Sequence, residues 1–313
     1  MTNITHSTMP LSRSAKALPK NPLRALYPLA ARDGMISLAN GHPSPDACDN
    51  TGLQDALKTA AADPMTWRYG PTAGDPRLRS ALANISGDQP DSVVVTSGAQ
   101  QGIDLTIRTL CNAGDTVLVP EALYPATLSV LAACNVSAYA VPEDVGGICI
   151  NGLDKAIRDS NARVLYLTPT FGNPTGSVLS EDRRAALLAL CARMSVLIIE
   201  DDPYRDLWFE APPPPSLWEM SKSNDARVIA LRSCSKSIAP GLRIGWMLAP
   251  HDLTPHLVAM KQASDLQSSG TAQMVALAYL SSGRFSGWLA KVRALYQARH
   301  DALQKGLVAA GFD

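Results

Sequence analysis

From Val93 onward, short runs of β-branched and other apolar residues alternate with longer stretches of helical period. This alternation limits the possible folds more than any other feature of the chain. Val93-Val94-Val95 precedes a helical stretch from Gln100 to Leu110, Val117-Leu118-Val119 precedes Pro125 to Ala133, and Val164-Leu165-Tyr166-Leu167 precedes Ser180 to Met194. Further strand-like runs stand at Val196-Leu197-Ile198-Ile199, at Val228-Ile229-Ala230-Leu231 and around Ile244 to Leu248. The pattern predicts an α/β fold, a mostly parallel sheet sandwiched by helices. Ser180, followed by Glu181 and Asp182, has the hydroxyl and the early acids of a helix start. Pro212 to Pro215 predicts a stiff surface loop of polyproline character.

Two segments stand apart from this body. Residues 1–45 read as an arm with few periodic features, 46–282 as one large domain and 283–313 as the start of a smaller one. Phe285 to Ala310 predicts an amphipathic helix with Trp288, Leu289, Val292, Leu295, Tyr296, Leu303 and Leu307 on one broad face, which needs a partner.

Composition narrows the functional classes. Lys plus Arg and Asp plus Glu each number 28, so the chain carries no electrostatic footprint for nucleic acid or an anionic membrane, and small molecules are the expected partners. Met1 to Lys20 lacks an apolar leader core and no later window of 18 residues is free of polar breaks, so a cytoplasmic protein is expected. The six cysteines show no close pairing and are read as reduced, packed thiols. The five histidines show no ligand spacing, and no metal is expected.

The chemistry concentrates where motifs follow strands, the edge at which open α/β sheets bind ligands. Lys236 lies in Ser233-Cys234-Ser235-Lys236-Ser237-Ile238-Ala239-Pro240-Gly241-Leu242-Arg243, beside two hydroxyls and seven residues before an arginine. That suits pyridoxal 5'-phosphate: the ε-amine condenses with its aldehyde as a Schiff base, while Ser233, Ser235 and Arg243 take phosphate oxygens. A solvated lysine in a surface loop is the plain alternative. Thr96-Ser97-Gly98-Ala99-Gln100-Gln101 opens a helix, where the backbone N–H groups of Gly98, Ala99 and Gln100 can cradle a phosphate; an ordinary strand-to-helix turn reads the same way.

Asn173-Pro174-Thr175-Gly176 is a turn by composition, and its asparagine can donate to the cofactor's phenolic oxygen. In Glu200-Asp201-Asp202-Pro203-Tyr204, Asp201 is assigned to the pyridine nitrogen, which a carboxylate keeps protonated, and Tyr204 to the phenolic oxygen opposite Asn173. The acid triplet is also the kind that holds magnesium, although no phosphate-loop lysine motif accompanies it. Tyr124 either stacks on the ring or is a core aromatic at a helix start.

With these residues in hand the chain resembles the fold-type-I pyridoxal-phosphate enzymes and, more narrowly, the class I/II aminotransferases of the kynurenine/2-aminoadipate type. The resemblance runs from about Asn21 to the C-terminus and rests on Ile36-Ser37-Leu38-Ala39-Asn40-Gly41-His42-Pro43, Tyr69-Gly70-Pro71, Asn173–Gly176, Asp201–Tyr204 and Ser233–Gly245. It implies transamination between an amino acid and a 2-oxo acid, with Lys236 as Schiff-base lysine and proton shuttle, Asp201 at the ring nitrogen, and Asn173 and Tyr204 at the phenolic oxygen. Ala99, Gln100, Ser233, Ser235 and Arg243 would hold the phosphate and Tyr124 would cover the ring. Tyr69 would reach the phosphate of a neighbouring subunit, implying a homodimer with composite sites, while Arg24, Gly41 and Asn173 would lie near the substrate and the 1–45 arm at its entrance. Ala99 stands where many relatives have serine, so one side-chain contact to the phosphate is expected to be missing. Relatives continue past the last residue here with a segment that carries the arginine for the substrate α-carboxylate, so a truncated small domain is expected. The alternatives are other chemistry on the same cofactor, such as β-elimination or decarboxylation, or a regulatory or inactive aminotransferase-like protein.

Overall fold

The computed structural model describes residues 10–18, 26, 28–29, 32–36 and 41–312. Arg24 of the predicted site and residues 37–40 of the motif that ends at Pro43 lie outside these. The helices are α1 (Arg13–Ala17), α2 (Asn50–Ala62), α3 (Pro76–Ser86), α4 (Ala99–Leu110), α5 (Pro125–Ala133), α6 (Ile150–Ser160), α7 (Glu181–Arg193), α8 (Leu217–Ser221), α9 (Thr254–Asp265), α10 (Gly270–Ser281) and α11 (Phe285–Ala309). The strands are β1 (Val93–Thr96), β2 (Thr116–Pro120), β3 (Ser137–Val141), the short pair β4 (Glu143–Asp144) and β5 (Gly147–Ile148), β6 (Val164–Leu167), β7 (Leu197–Asp201), β8 (Val228–Ser233) and β9 (Gly245–Leu248).

The main sheet has the order β1-β9-β8-β7-β6-β2-β3. β9 runs against both of its neighbours, β1 and β8. The pairs β7–β8, β6–β7, β2–β6 and β2–β3 are parallel. All strands of this sheet but β9 therefore end at one edge, the edge at which the predicted motifs begin.

Side chains alternate faces along a strand, and here the alternation sorts two cores. Val93 and Val95, Leu165 and Leu167, Ile198, and Val228 and Ala230 join one cluster with residues of α2, α3, α6, α7 and α10. Val94, Val164 and Tyr166, Ile199, and Ile229 and Leu231 join the other, under α4, α5 and α9. Strands buried on both faces need no polar alternation, which is why they read as unbroken apolar runs.

Ser180 caps α7, its hydroxyl accepting from Arg183 N at 3.3 Å, with Glu181 and Asp182 in the first turn as expected. The apolar face of α11 is covered over its first half. Leu289 and Val292 are buried, Trp288 Nε1 donates to Ala47 O at 3.0 Å, and the Tyr296 hydroxyl accepts from Ser44 N at 3.1 Å. Leu303 and Leu307, placed on the same face, remain 48% and 38% exposed. No helix among the described residues is long and apolar enough to cross a membrane.

Candidate active site

At the carboxyl edge of the sheet lies a cavity of about 610 Å3. Ala99, Gln100, Tyr124, Asn173, Asp201 and Tyr204 line it, joined by Ser233, Ser235, Lys236, Arg243 and Gly41. Residues from four strand ends and one helix start, far apart in sequence, thus line one cavity. Tyr69 does not; it is 83% exposed and stands outside this chain's own cavity.

Lys236 Nζ donates to Gly41 O at 2.8 Å and stands 5.5 Å from the centre of the Tyr204 ring. Burial, reinforced by the charge of Arg243, pulls its amine below the ordinary lysine value and so enlarges the free-base fraction. The Asn173 amide donates to the Tyr204 hydroxyl at 3.4 Å, placing both groups at one corner. Burial, with the nearby Asp201 charge, pushes the Tyr204 phenol up and keeps it a donor.

The Glu200-Asp201-Asp202 triplet separates by strand parity. Glu200 turns to the Ile198 face, where it accepts from Leu217 N at 2.8 Å and Trp218 N at 3.1 Å at the start of α8. Asp202 pairs with Arg205 at 2.9 Å and with Arg232 at 3.1 Å. Asp201 faces the cavity side, 4% exposed. Its Oδ2 accepts from the Tyr166 hydroxyl at 2.6 Å, whereas Oδ1 is buried without a hydrogen-bond partner. Burial pushes Asp201 up to about 6, against the opposing effect of the Tyr166 hydrogen bond. Glu200 and Asp202 share the Arg232 guanidinium at 3.6 and 3.1 Å, while Asp201 lies on the opposite face; among the described residues no group of three or more His, Cys, Asp or Glu is placed to hold a metal.

The end of the cavity beside α4 is built largely from backbone. α4 starts at Gly98 with no side-chain cap, so its first N–H groups are not consumed by one. Gly98 has φ +85°, and a Cβ there would lie 2.4 Å from Arg243 Nη2. Arg243 reaches Ser235 Oγ at 3.2 Å and Ser97 O at 3.3 Å, closing the cradle from the other side. Gly245, at the start of β9, packs so closely that a Cβ would meet Arg232 O at 2.7 Å and Ala99 N at 2.8 Å.

Several supporting residues escape sequence reasoning. Gln101 Oε1 accepts from Ser97 N at 2.8 Å and its amide donates to Asp265 at 2.7 Å, while buried Lys261 ties Asp265 to Ser268. Arg184 in α7 holds the Asn173 loop through Leu179 O, Pro169 O and Thr170 Oγ1, each at 2.9 Å. A fully buried arginine or lysine is rare unless paired, yet in sequence both sit among ordinary helix surface residues and give no signal. Cys234 is 1% exposed in the core, the packing role expected of it.

The sequence matches the family Aminotransferase class I and II over residues 33–313. This chain belongs to that family. Like the rest of the class I and II aminotransferases, it transfers amino groups between amino acids and 2-oxo acids with pyridoxal phosphate as cofactor. It is 31% identical to the aromatic-amino-acid aminotransferase 1 of Thermococcus litoralis, over 95% of this chain and 74% of that protein. It is 30% identical to the 2-aminoadipate transaminase of Thermus thermophilus, over 94% of this chain and 75% of that one. The crystal structure of an alpha-aminoadipate aminotransferase from Thermus thermophilus, complexed with N-(5'-phosphopyridoxyl)-L-leucine, superposes with a TM-score of 0.89 at 28% identity, covering 96% of this chain and 76% of that chain. The fold is thus fold type I, as the resemblance implied.

The aminotransferase cofactor fits the residues present. Asp201 lines the cavity, and its buried Oδ1, which has no hydrogen-bond partner, is an acceptor available to a ring N–H. At the helix start the Arg243 guanidinium lies so close to Gly98 that a Cβ would displace it, and this cation beside uncapped backbone N–H groups suits a phosphate.

Proposed function

We propose that Lys236, Asp201, Tyr204 and Asn173 carry out the transamination and that the substrates are amino acids with large side chains. Bound pyridoxal phosphate supplies an aldehyde that condenses with amines and a ring that accepts the electron pair released when a substrate Cα–H breaks. Lys236 Nζ is the amine in range, and as a free base it would take the substrate's Cα proton and deliver it to the cofactor's C4' carbon. Asp201 Oδ1 holds the proton on the ring nitrogen. The Asn173 amide and the Tyr204 hydroxyl donate to the phenolic oxygen, and Tyr124, 36% exposed at the cavity wall, covers the ring. The helix start at Gly98, Ala99 and Gln100, with Ser233, Ser235 and Arg243, binds the phosphate.

One observation carries this reading: Asp201, whose Oδ1 has no hydrogen-bond partner, and Lys236 line the same cavity. A large side chain is supported by relatives named for aromatic amino acids and 2-aminoadipate. Arg24 and Gly41 are proposed to lie beside the substrate. A homodimer follows from Tyr69, which serves the partner's phosphate in this reading. Trp67 and Met65 beside it are 68% and 43% exposed, as suits a face that a second copy covers. We place the protein in the cytoplasm, in keeping with six free thiols. The test is reduction with borohydride followed by peptide mass spectrometry, and a screen of amino donors against 2-oxoglutarate and pyruvate. A pyridoxyl adduct on Lys236 and fastest turnover with aromatic or 2-aminoadipate donors are expected. An unmodified Lys236 would refute the site, and a preference for alanine or aspartate would refute the substrate class.

A further inference from the structure

We infer that Tyr166 is a positioning residue for Asp201: its phenol pins one carboxylate oxygen so that the other is presented to the cavity as an anion. The inference rests on the assignment of Asp201 to the cofactor's ring nitrogen.

The placement follows from sheet register. Tyr166 pairs with Ile199 across β6 and β7, so Asp201, two residues further along, is its diagonal neighbour on the same face. An aromatic side chain spans that distance. The resulting 2.6 Å bond lies in the range of a charge-assisted O–H···O⁻ contact. Tyr166 is fully buried and Asp201 nearly so, so water does not replace the phenol as donor. The Tyr166 bond acts first among the influences that oppose burial at Asp201; Arg232 acts the same way and Asp202 the opposite way. The hydroxyls of Thr127 and Thr168 face the phenol, and Tyr204 flanks Asp201 from the cavity side.

A neutral donor suits this position better than a cation. An arginine would also fix Oδ2, but it would cancel the charge that holds a protonated ring nitrogen. A phenol orients the carboxylate and leaves its net charge in place. Phenylalanine would fill the same space and leave Oδ2 a buried acceptor without a partner.

The test measures equilibrium affinity for pyridoxal phosphate, by fluorescence titration between about pH 5.5 and 8.5, in the wild type, Tyr166→Phe, Asp201→Asn and the double variant. It is repeated with a cofactor analogue whose ring nitrogen is replaced by carbon. Tyr166→Phe is expected to bind the cofactor about tenfold or more weakly at neutral pH, with its affinity profile displaced to higher pH because Asp201 ionises later. In the Asp201→Asn background, or with the carbon analogue, removing the phenol should change affinity little. An equal loss in either of those controls would mark a packing defect and overturn the inference, as would unchanged binding by Tyr166→Phe. A separate failure is distinguishable: if Asp201→Asn discriminates between cofactor and analogue as the wild type does, the Asp201 assignment itself is wrong.

Discussion

In the proposed site a protonated ring nitrogen would stabilise ionised Asp201, but the cofactor-free protein bears the cost of its burial alone. Its carboxyl is raised from the ordinary 3.8 to about 6 by burial. The folded state therefore holds this proton more tightly than the unfolded chain does, and the stability it contributes is complete below the ordinary value and lost as pH rises through about 6. A shift of about two units corresponds to about 3 kcal/mol. Cofactor-free Asp201→Asn is expected to melt a few degrees above wild type at pH 7 and level with it near pH 4, by differential scanning calorimetry. With saturating cofactor the same variant should lose substrate Cα–H exchange by about 10²-fold or more, followed by NMR in deuterium oxide, because an amide cannot keep the ring nitrogen protonated. Exchange at the wild-type rate would move the role away from Asp201.

At the scale of elements, the strands were legible where burial on both faces makes them apolar throughout, and the motifs where each follows such a strand. β3 escaped because only Val141 is buried; Ser137, Ala138 and Ala140 are exposed at the sheet edge and leave no apolar run. α2 escaped because its buried positions are Gly52, Ala56 and Ala60, which pack closely without a strong hydrophobic stripe. Tyr166 read as strand filler, since its value to Asp201 depends on a register that no local pattern encodes. Gly245 is a similar case, a small residue demanded by a neighbour distant in sequence. Gly245→Ala would set a Cβ 2.7 Å from Arg232 O and 2.8 Å from Ala99 N, both backbone atoms that cannot turn aside. Thermal melts should show a loss of about 1–3 kcal/mol, and cofactor titration a weaker phosphate grip as β9 is pushed from the start of α4.

For the whole molecule, Tyr69 ties the proposed chemistry to assembly. If it serves the partner's phosphate, co-refolding Tyr69→Phe with Lys236→Ala should give heterodimers with one intact site each, and an equal mixture should recover about a quarter of wild-type activity, above either variant alone. Additive residual activities would argue for self-contained sites. The antiparallel strand β9 also has a bearing on synthesis. β1 is an edge strand whose neighbour in the sheet is β9, with Val93 paired to Leu248 and Thr96 to Gly245. While the chain is still emerging from the ribosome, the turn after β1 has no wall to close against until β9 arrives, about 150 residues later. The wall of the cavity next to β1 is therefore completed only once β9 has been made, and free pyridoxal phosphate is expected to find no site on the chain before then.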